Sequence, residues 1–170
     1  VSEIDEAQQR VAVSLNEIRQ ALTQGGLKYL DAGPFVMGGG VAVAWSDTFF
    51  AMLSFGNFLD QQLNITYGVL RNINQDRLGA LEYCNLYNQN FAAYPTYLHD
   101  AENGWDVLQQ NVLPMQVLRD APQFVLGFHL GGSAQIVDDL RAKAVERGLG
   151  GVPYRWNDED VNQLLAKSLM

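Results

Sequence analysis

Apolar residues recur every three or four positions between Ser2 and Thr23, at Ile4, Ala7, Val11, Leu15, Ile18 and Leu22. That period predicts an amphipathic helix. Glu3, Asp5 and Glu6 complement the dipole of its first turn, and Gly25-Gly26 predicts its end. Past Leu27 the period falls to two, and Asp31, Gly33, Pro34 and the run Gly38-Gly39-Gly40 punctuate short apolar segments. Strands are predicted near Leu27 to Leu30, Val41 to Trp45, Thr48 to Phe55 and Leu63 to Leu70. Ser46-Asp47 reads as a tight hairpin, and closeness in sequence implies antiparallel pairing.

The third of these strands has no polar side. Phe49, Ala51, Leu53 and Phe55 share one face while Phe50 and Met52 take the other. Both faces therefore need a cover. Helices supply one, and a crossing loop, a second subunit or a client peptide is expected on the other.

Gln75 to Pro95 reads as a central helix on which Leu81, Cys84, Asn88 and Phe91 share a face. A polar amide on an apolar stripe must be hydrogen-bonded or exposed. Asn85 and Asn88, close to the helix end, are read as ties to loop or strand carbonyls in preference to ligand contacts. Strands at Thr96 to Asp100 and Trp105 to Leu113 follow, joined across Ala101-Glu102-Asn103-Gly104, and Pro114 marks a departure point. Asp120-Ala121-Pro122 looks like a helix start. Phe124, Val125, Phe128, Ile136, Val137 and Leu140 then predict one long helix to about Arg147; Gly131-Gly132 keeps open a strand from Gln123 to Leu130 and a helix capped by Ser133. Gly148 to Pro153 reads as a loop. Asn157 or Asp158 caps a last helix with Val161, Leu164, Leu165 and Leu169 on one face, expected to dock on its own domain.

The chain has 170 residues, 48% hydrophobic and 18% charged, enough for one domain with a sizeable core. Its formal net charge of −8 argues against a nucleic-acid surface, which gathers Lys and Arg on one face. One cysteine permits no internal disulfide and fits a reducing cytoplasm. No apolar run approaches the length of a membrane span, and Val1 opens a polar, acidic segment without a signal-peptide pattern. A cytoplasmic protein with no membrane partner is expected.

Candidate chemistry is sparse. The glycine triplet precedes a valine-rich strand where a phosphate cradle needs a helix, so it reads as a turn or bulge. Cys84 could pair with His99 or His129, but it lies on an apolar stripe, where a thiol behaves as a small hydrophobe. Two histidines and one cysteine match no metal-ligand spacing. The acids at Asp138-Asp139 and Asp158-Glu159-Asp160 read as solvated charge or dipole partners. No catalytic residue, cofactor or metal is expected. Trp45, Phe50, Met52, Tyr67 and Trp105 are the candidate partner-binding residues, supplying apolar area from the sheet. Two alternatives remain: a small-molecule sensor or enzyme with a pocket near Cys84, His99 and Tyr97, and a subunit of a permanent complex.

The segments VAVAWSDTFFAML, LNITYGVL and CNLYNQNFAAYPTYLHDAENGWDVL, with the element order around them, resemble the YbjN family. The likeness is greatest to its actinobacterial members, whose fold is similar to that of type III secretion chaperones. It covers Ser2 to about Arg147; Gly131-Gly132 and the terminal helix depart from it. It implies a bacterial α+β domain over residues 1–147, ordered α-β-β-β-β-α-β-β-α, with an antiparallel sheet of five to six strands and helices packed on one side. Residues 148–170 then form an extension carrying a short helix. By analogy with the secretion chaperones, it also implies a homodimer that binds an extended segment of another protein.

Overall fold

The computed structural model describes residues 2–35, 38–55, 60–90 and 94–168. Helix α1 (Glu3–Gln24) begins with a reciprocal cap: the Asp5 amide donates to Ser2 Oγ at 3.2 Å, and the Ser2 amide donates to Asp5 Oδ2 at 3.1 Å. Four strands follow, β1 (Lys28–Phe35), β2 (Gly38–Ser46), β3 (Phe49–Ser54) and β4 (Gln62–Ile73). Helix α2 (Arg77–Asn90) crosses to the edge strand β5 (Thr96–Ala101), and β6 (Gly104–Pro114) returns between β5 and β4. Helices α3 (Met115–Asp120) and α4 (Pro122–Glu146), strand β7 (Val152–Pro153) and helix α5 (Asp158–Ser168) complete the chain.

Among the described residues the sheet has seven antiparallel strands in the order β1-β2-β3-β4-β6-β5, with β7 attached to β4. The α+β class and the element order through α4 are as the sequence predicts, with one short helix and one short strand added. Helix α4 is a single helix through Gly131-Gly132, so the strand alternative for residues 123–130 is set aside.

Three expectations need correction. The glycine triplet lies in paired strand, with Gly39 opposite Pro34 and Gly40 opposite Ser54. The irregularity sits in β1, where the register slips by one between Asp31 and Pro34; a bulge thus absorbs the turn residues without ending the strand. The hairpin turn falls at Asp47-Thr48, one residue later than expected, because Trp45 is an extra residue between the Ala44↔Phe50 and Ser46↔Phe49 pairs. Gly148 to Pro153 is not all loop: Val152 and Pro153 pair with Arg71 and Leu70, beyond Tyr67, where the pairing of β3 with β4 ends.

The core has two layers. Under α1, α2 and α4 lie Val41 and Val43 of β2, Phe49, Ala51 and Leu53 of β3, and Phe55 just beyond it. Across the sheet, Ala42, Phe50, Met52 and Leu108 pack against Tyr154, Val161, Leu164 and Leu165. Four helices therefore share one face, and the short C-terminal helix covers the other. Asn157 starts α5 by accepting a 2.8 Å hydrogen bond from the Asp160 amide. Leu169 and Phe91, placed on apolar helix faces by the sequence, lie outside the described residues.

Asn88 joins α2 to the strand after it. Its Nδ2 donates to the Thr96 carbonyl at 2.9 Å, and its Oδ1 accepts from the Thr96 amide at 2.7 Å. Asn85 is exposed one turn away. Replacing Asn88 by leucine strands both Thr96 groups, so Asn88→Leu should lower stability by about 1–3 kcal/mol in urea denaturation. An unchanged unfolding midpoint would show that the pair contributes nothing net.

Candidate functional site: an exposed aromatic ridge

The residues expected to form a small-molecule pocket are separated by the sheet. Cys84 is buried in the helix-side layer, and burial pushes its thiol up to about 12, so it carries almost no thiolate at neutral pH. Tyr97 packs in the opposite layer. With His99 and Lys167 it lines a shallow cavity of about 340 Å³. The pocket near Cys84, His99 and Tyr97 does not exist as one site.

The candidate partner residues are dispersed too. Phe50 and Met52 are 1% and 0% exposed, because Tyr154, Trp156 and α5 cover them. The expected partner for this sheet face is the chain's own C-terminal segment. Tyr67 is fully buried in the helix-side layer, stacked on Phe49 with ring centroids 5.5 Å apart. Trp105 is half-buried beneath the Arg77 guanidinium, 5.8 Å from its ring. Trp45, at the bulge, is 44% exposed.

Charged groups fix α5 in place. Asp106, buried on the sheet, accepts from the Tyr154 hydroxyl at 2.5 Å, from Lys167 Nζ, and through its other oxygen from the Asn72 amide at 2.9 Å. Lys167 also bonds the Tyr154 hydroxyl at 2.9 Å. Arg71 pairs with Asp160 and, at 3.1 Å, with Glu159 at the start of α5. Gly68 leaves room for this arrangement, since a Cβ there would lie 2.5 Å from the Tyr154 ring. A tyrosine, a lysine and a carboxylate together could be acid–base machinery. Here the hydroxyl proton is committed to Asp106, and burial together with that bond pushes the Tyr154 hydroxyl far above the usual tyrosine range. The cluster works as a clasp. Sequence reasoning missed it because Asp106, Tyr154 and Lys167 are distant in sequence and match no motif.

Among the described residues, α4 carries an exposed, stacked pair of aromatic rings. Phe124 and Phe128 are 72% and 59% exposed, and their rings stack with centroids 6.0 Å apart and 16° between planes. Spacing explains this. At 100° per residue they fall opposite Val137 and Leu140, which are buried. Sequence reasoning counted both phenylalanines toward the helix without assigning them a face, although the wheel separates them.

Along α4 the ridge lies in an uncharged stretch between Asp120 and Asp138. No Asp, Glu, Lys or Arg occurs from Pro122 to Val137. His129 sits edge-on to Phe128 at 5.6 Å and bonds Asn111 at 3.0 Å, and burial holds its imidazole below the usual value. It is therefore neutral at pH 7. Trp45 lies against Gly131, where a Cβ would be 3.6 Å from the indole. At Gly127 and Gly132 a Cβ would meet nothing within 4 Å. Each glycine costs about 1 kcal/mol relative to alanine in a helix interior, and the fold gives no packing reason for these two.

Among the described residues no group of three or more His, Cys, Asp or Glu side chains could hold a metal ion, and no helix is long and apolar enough to cross a membrane.

Two predictions follow from the buried groups. Lys167→Met leaves Asp106 buried without its counter-ion and should cost about 3–5 kcal/mol in urea denaturation, with Asp106→Asn/Lys167→Met recovering part of the loss. A silent Lys167→Met would remove the clasp from the account. Cys84 should resist a disulfide-exchange reagent at pH 8 and react on unfolding; rapid labelling of the native protein would contradict the buried thiol.

No protein-family model matches the chain, and no curated protein matches it. Among solved structures it is similar to that of YbjN from E. coli, a proposed transcription regulator. The TM-score is 0.56 at 15% sequence identity, over 82% of this chain and 96% of that one. At that identity the likeness speaks for architecture alone. The chain has a YbjN-like α+β fold.

Proposed function

We propose that this chain is a non-enzymatic protein-binding domain, chaperone-like or regulatory, that meets its partner through the aromatic ridge of α4. The observation that carries this reading is the stacked Phe124–Phe128 pair, exposed on a helix face without charge. Exposed aromatic patches of this kind mark interaction sites on otherwise polar surfaces. The E. coli neighbour's description as a proposed regulator agrees with such a role. A cytoplasmic setting belongs to the same reading.

The net charge of −8 favours a protein partner over nucleic acid. Binding of an extended client across the second sheet face, as in secretion chaperones, would require α5 to leave and Phe50 and Met52 to be uncovered. The ridge needs no such step. The permanent-complex reading is less favoured, because obligate interfaces bury on the order of 2,000 Å² or more and the ridge exposes far less.

A photo-crosslinking amino acid placed at position 124 tests the proposal in cells, with exposed Glu82 as the control position. Protein adducts at 124 and none at 82 are expected. Equal or absent adducts at both would contradict the proposal.

A further inference from the structure

We infer that the helix-side layer holds a binding site for a small uncharged molecule rich in hydroxyl groups, a polyol or a sugar, built by Tyr67, Gln109 and Ser133 beneath α4. The site is separate from the ridge and does not depend on the ridge's partner.

Three polar side chains meet where the core should be apolar. Tyr67 of β4 and Gln109 of β6 are direct cross-strand partners, so their side chains rise together from one face of the sheet. Ser133 meets the Tyr67 hydroxyl from α4. All three residues are fully buried.

Their hydrogen bonding is incomplete. The Tyr67 hydroxyl donates to the His129 carbonyl at a long 3.4 Å. Gln109 Nε2 lies 3.5 Å from the Tyr94 carbonyl and 3.4 Å from Thr96 Oγ1, beyond the usual range for such bonds. That carbonyl only accepts, which sets Nε2 on its side and leaves Gln109 Oε1 turned away. Among the described residues, Gln109 Oε1 and Ser133 Oγ have no hydrogen-bond partner of ordinary geometry. Buried polar atoms are rarely left so. The fold does not need Gln109 to satisfy its neighbours either, because Thr96 Oγ1 donates to the Tyr94 carbonyl at 3.3 Å.

The chemistry of these groups defines the ligand. Gln109 Oε1 requires a donor, while the Ser133 and Tyr67 hydroxyls both donate and accept; a ligand hydroxyl matches all three. None of the side chains gathered here is ionised, and His129, bonded to Asn111 at 3.0 Å, is neutral. A charged ligand would therefore lose its hydration without gaining a counter-charge. Tyr94, Asn111 and His129, each half-buried, form the margin that reaches solvent.

Ligand-observed saturation-transfer NMR on the full chain tests the site, with glucose, ribose and myo-inositol as probes to about 10 mM and gluconate as the charged counterpart of glucose. At least one of the three uncharged probes should bind saturably, and gluconate should not. Gln109→Leu and Ser133→Ala should each weaken that binding by about tenfold or more. Their urea midpoints should equal or exceed that of the wild type, since each variant removes a buried atom that lacks a partner. No transfer to any uncharged probe, the result if an ordered water alone fills the site, would overturn the inference. So would binding unchanged in both variants, gluconate binding as well as glucose, or midpoints lowered in both variants, as a purely structural cluster would give. Cross-links from position 124 report on the ridge alone, so either proposal can fail without the other.

Discussion

All six residues of β3 are buried, and the rest of the structure answers to that fact. A pleated strand sends alternate side chains to opposite faces, so a strand buried at every position, with apolar side chains on both faces, needs a cover on each. Leaving Phe50 and Met52 in water would forfeit on the order of 1.5–3 kcal/mol each, a large share of the 5–15 kcal/mol by which domains are usually stable. Helices α1 to α4 close one face. The chain then runs under the sheet edge as β7 and lays α5 across the other. Ion pairs to Asp106 and Arg71 fix where α5 lands. Buried charge pairs add little net stability, since desolvation offsets their attraction, but a mispaired one is costly. The clasp therefore sets the position of a helix whose apolar contacts hold it down.

This cover decides where function can reside. With both sheet faces closed from within the chain, the residues that looked most ready to meet a partner, Phe50 and Met52, are already engaged. Among the described residues, the exposed aromatic surface includes Trp45 on β2 and the stacked pair on the outward side of α4. The ridge itself is two phenylalanines four apart, with Gly127 between them and Gly132 beyond, neither of which the helix needs for packing.

Most of the architecture is legible from periodicity, because α1, β3, β4 and β6 carry clear patterns and the apolar period of α4 persists on both sides of Gly131-Gly132. The failures have local causes. The six residues of α3 are too few to show a helical period. Val152-Pro153 form a strand only because β4 offers an unpaired edge there. The glycine triplet and Asp31 to Pro34 look like turns, and become strand once a bulge in β1 absorbs the extra residue. Of the candidate site, Trp45 and Tyr67 do fall beside or beneath α4, with the Tyr67 hydroxyl donating to the His129 carbonyl at 3.4 Å. The exposure of Phe124 and Phe128 could be read from the helical wheel. That Phe50 and Met52 are unavailable could not, since it depends on a contact between residues more than one hundred positions apart.

Hydroxyl-radical footprinting of the dilute protein tests most directly whether the sheet is closed and the ridge open. Phe124 and Phe128 should be oxidised readily, while Phe50 and the intrinsically reactive sulfur of Met52 stay protected until the protein unfolds. Oxidation of Met52 and Phe50 at the rate of the ridge phenylalanines would show that α5 does not cover the second face in solution, and would contradict the account.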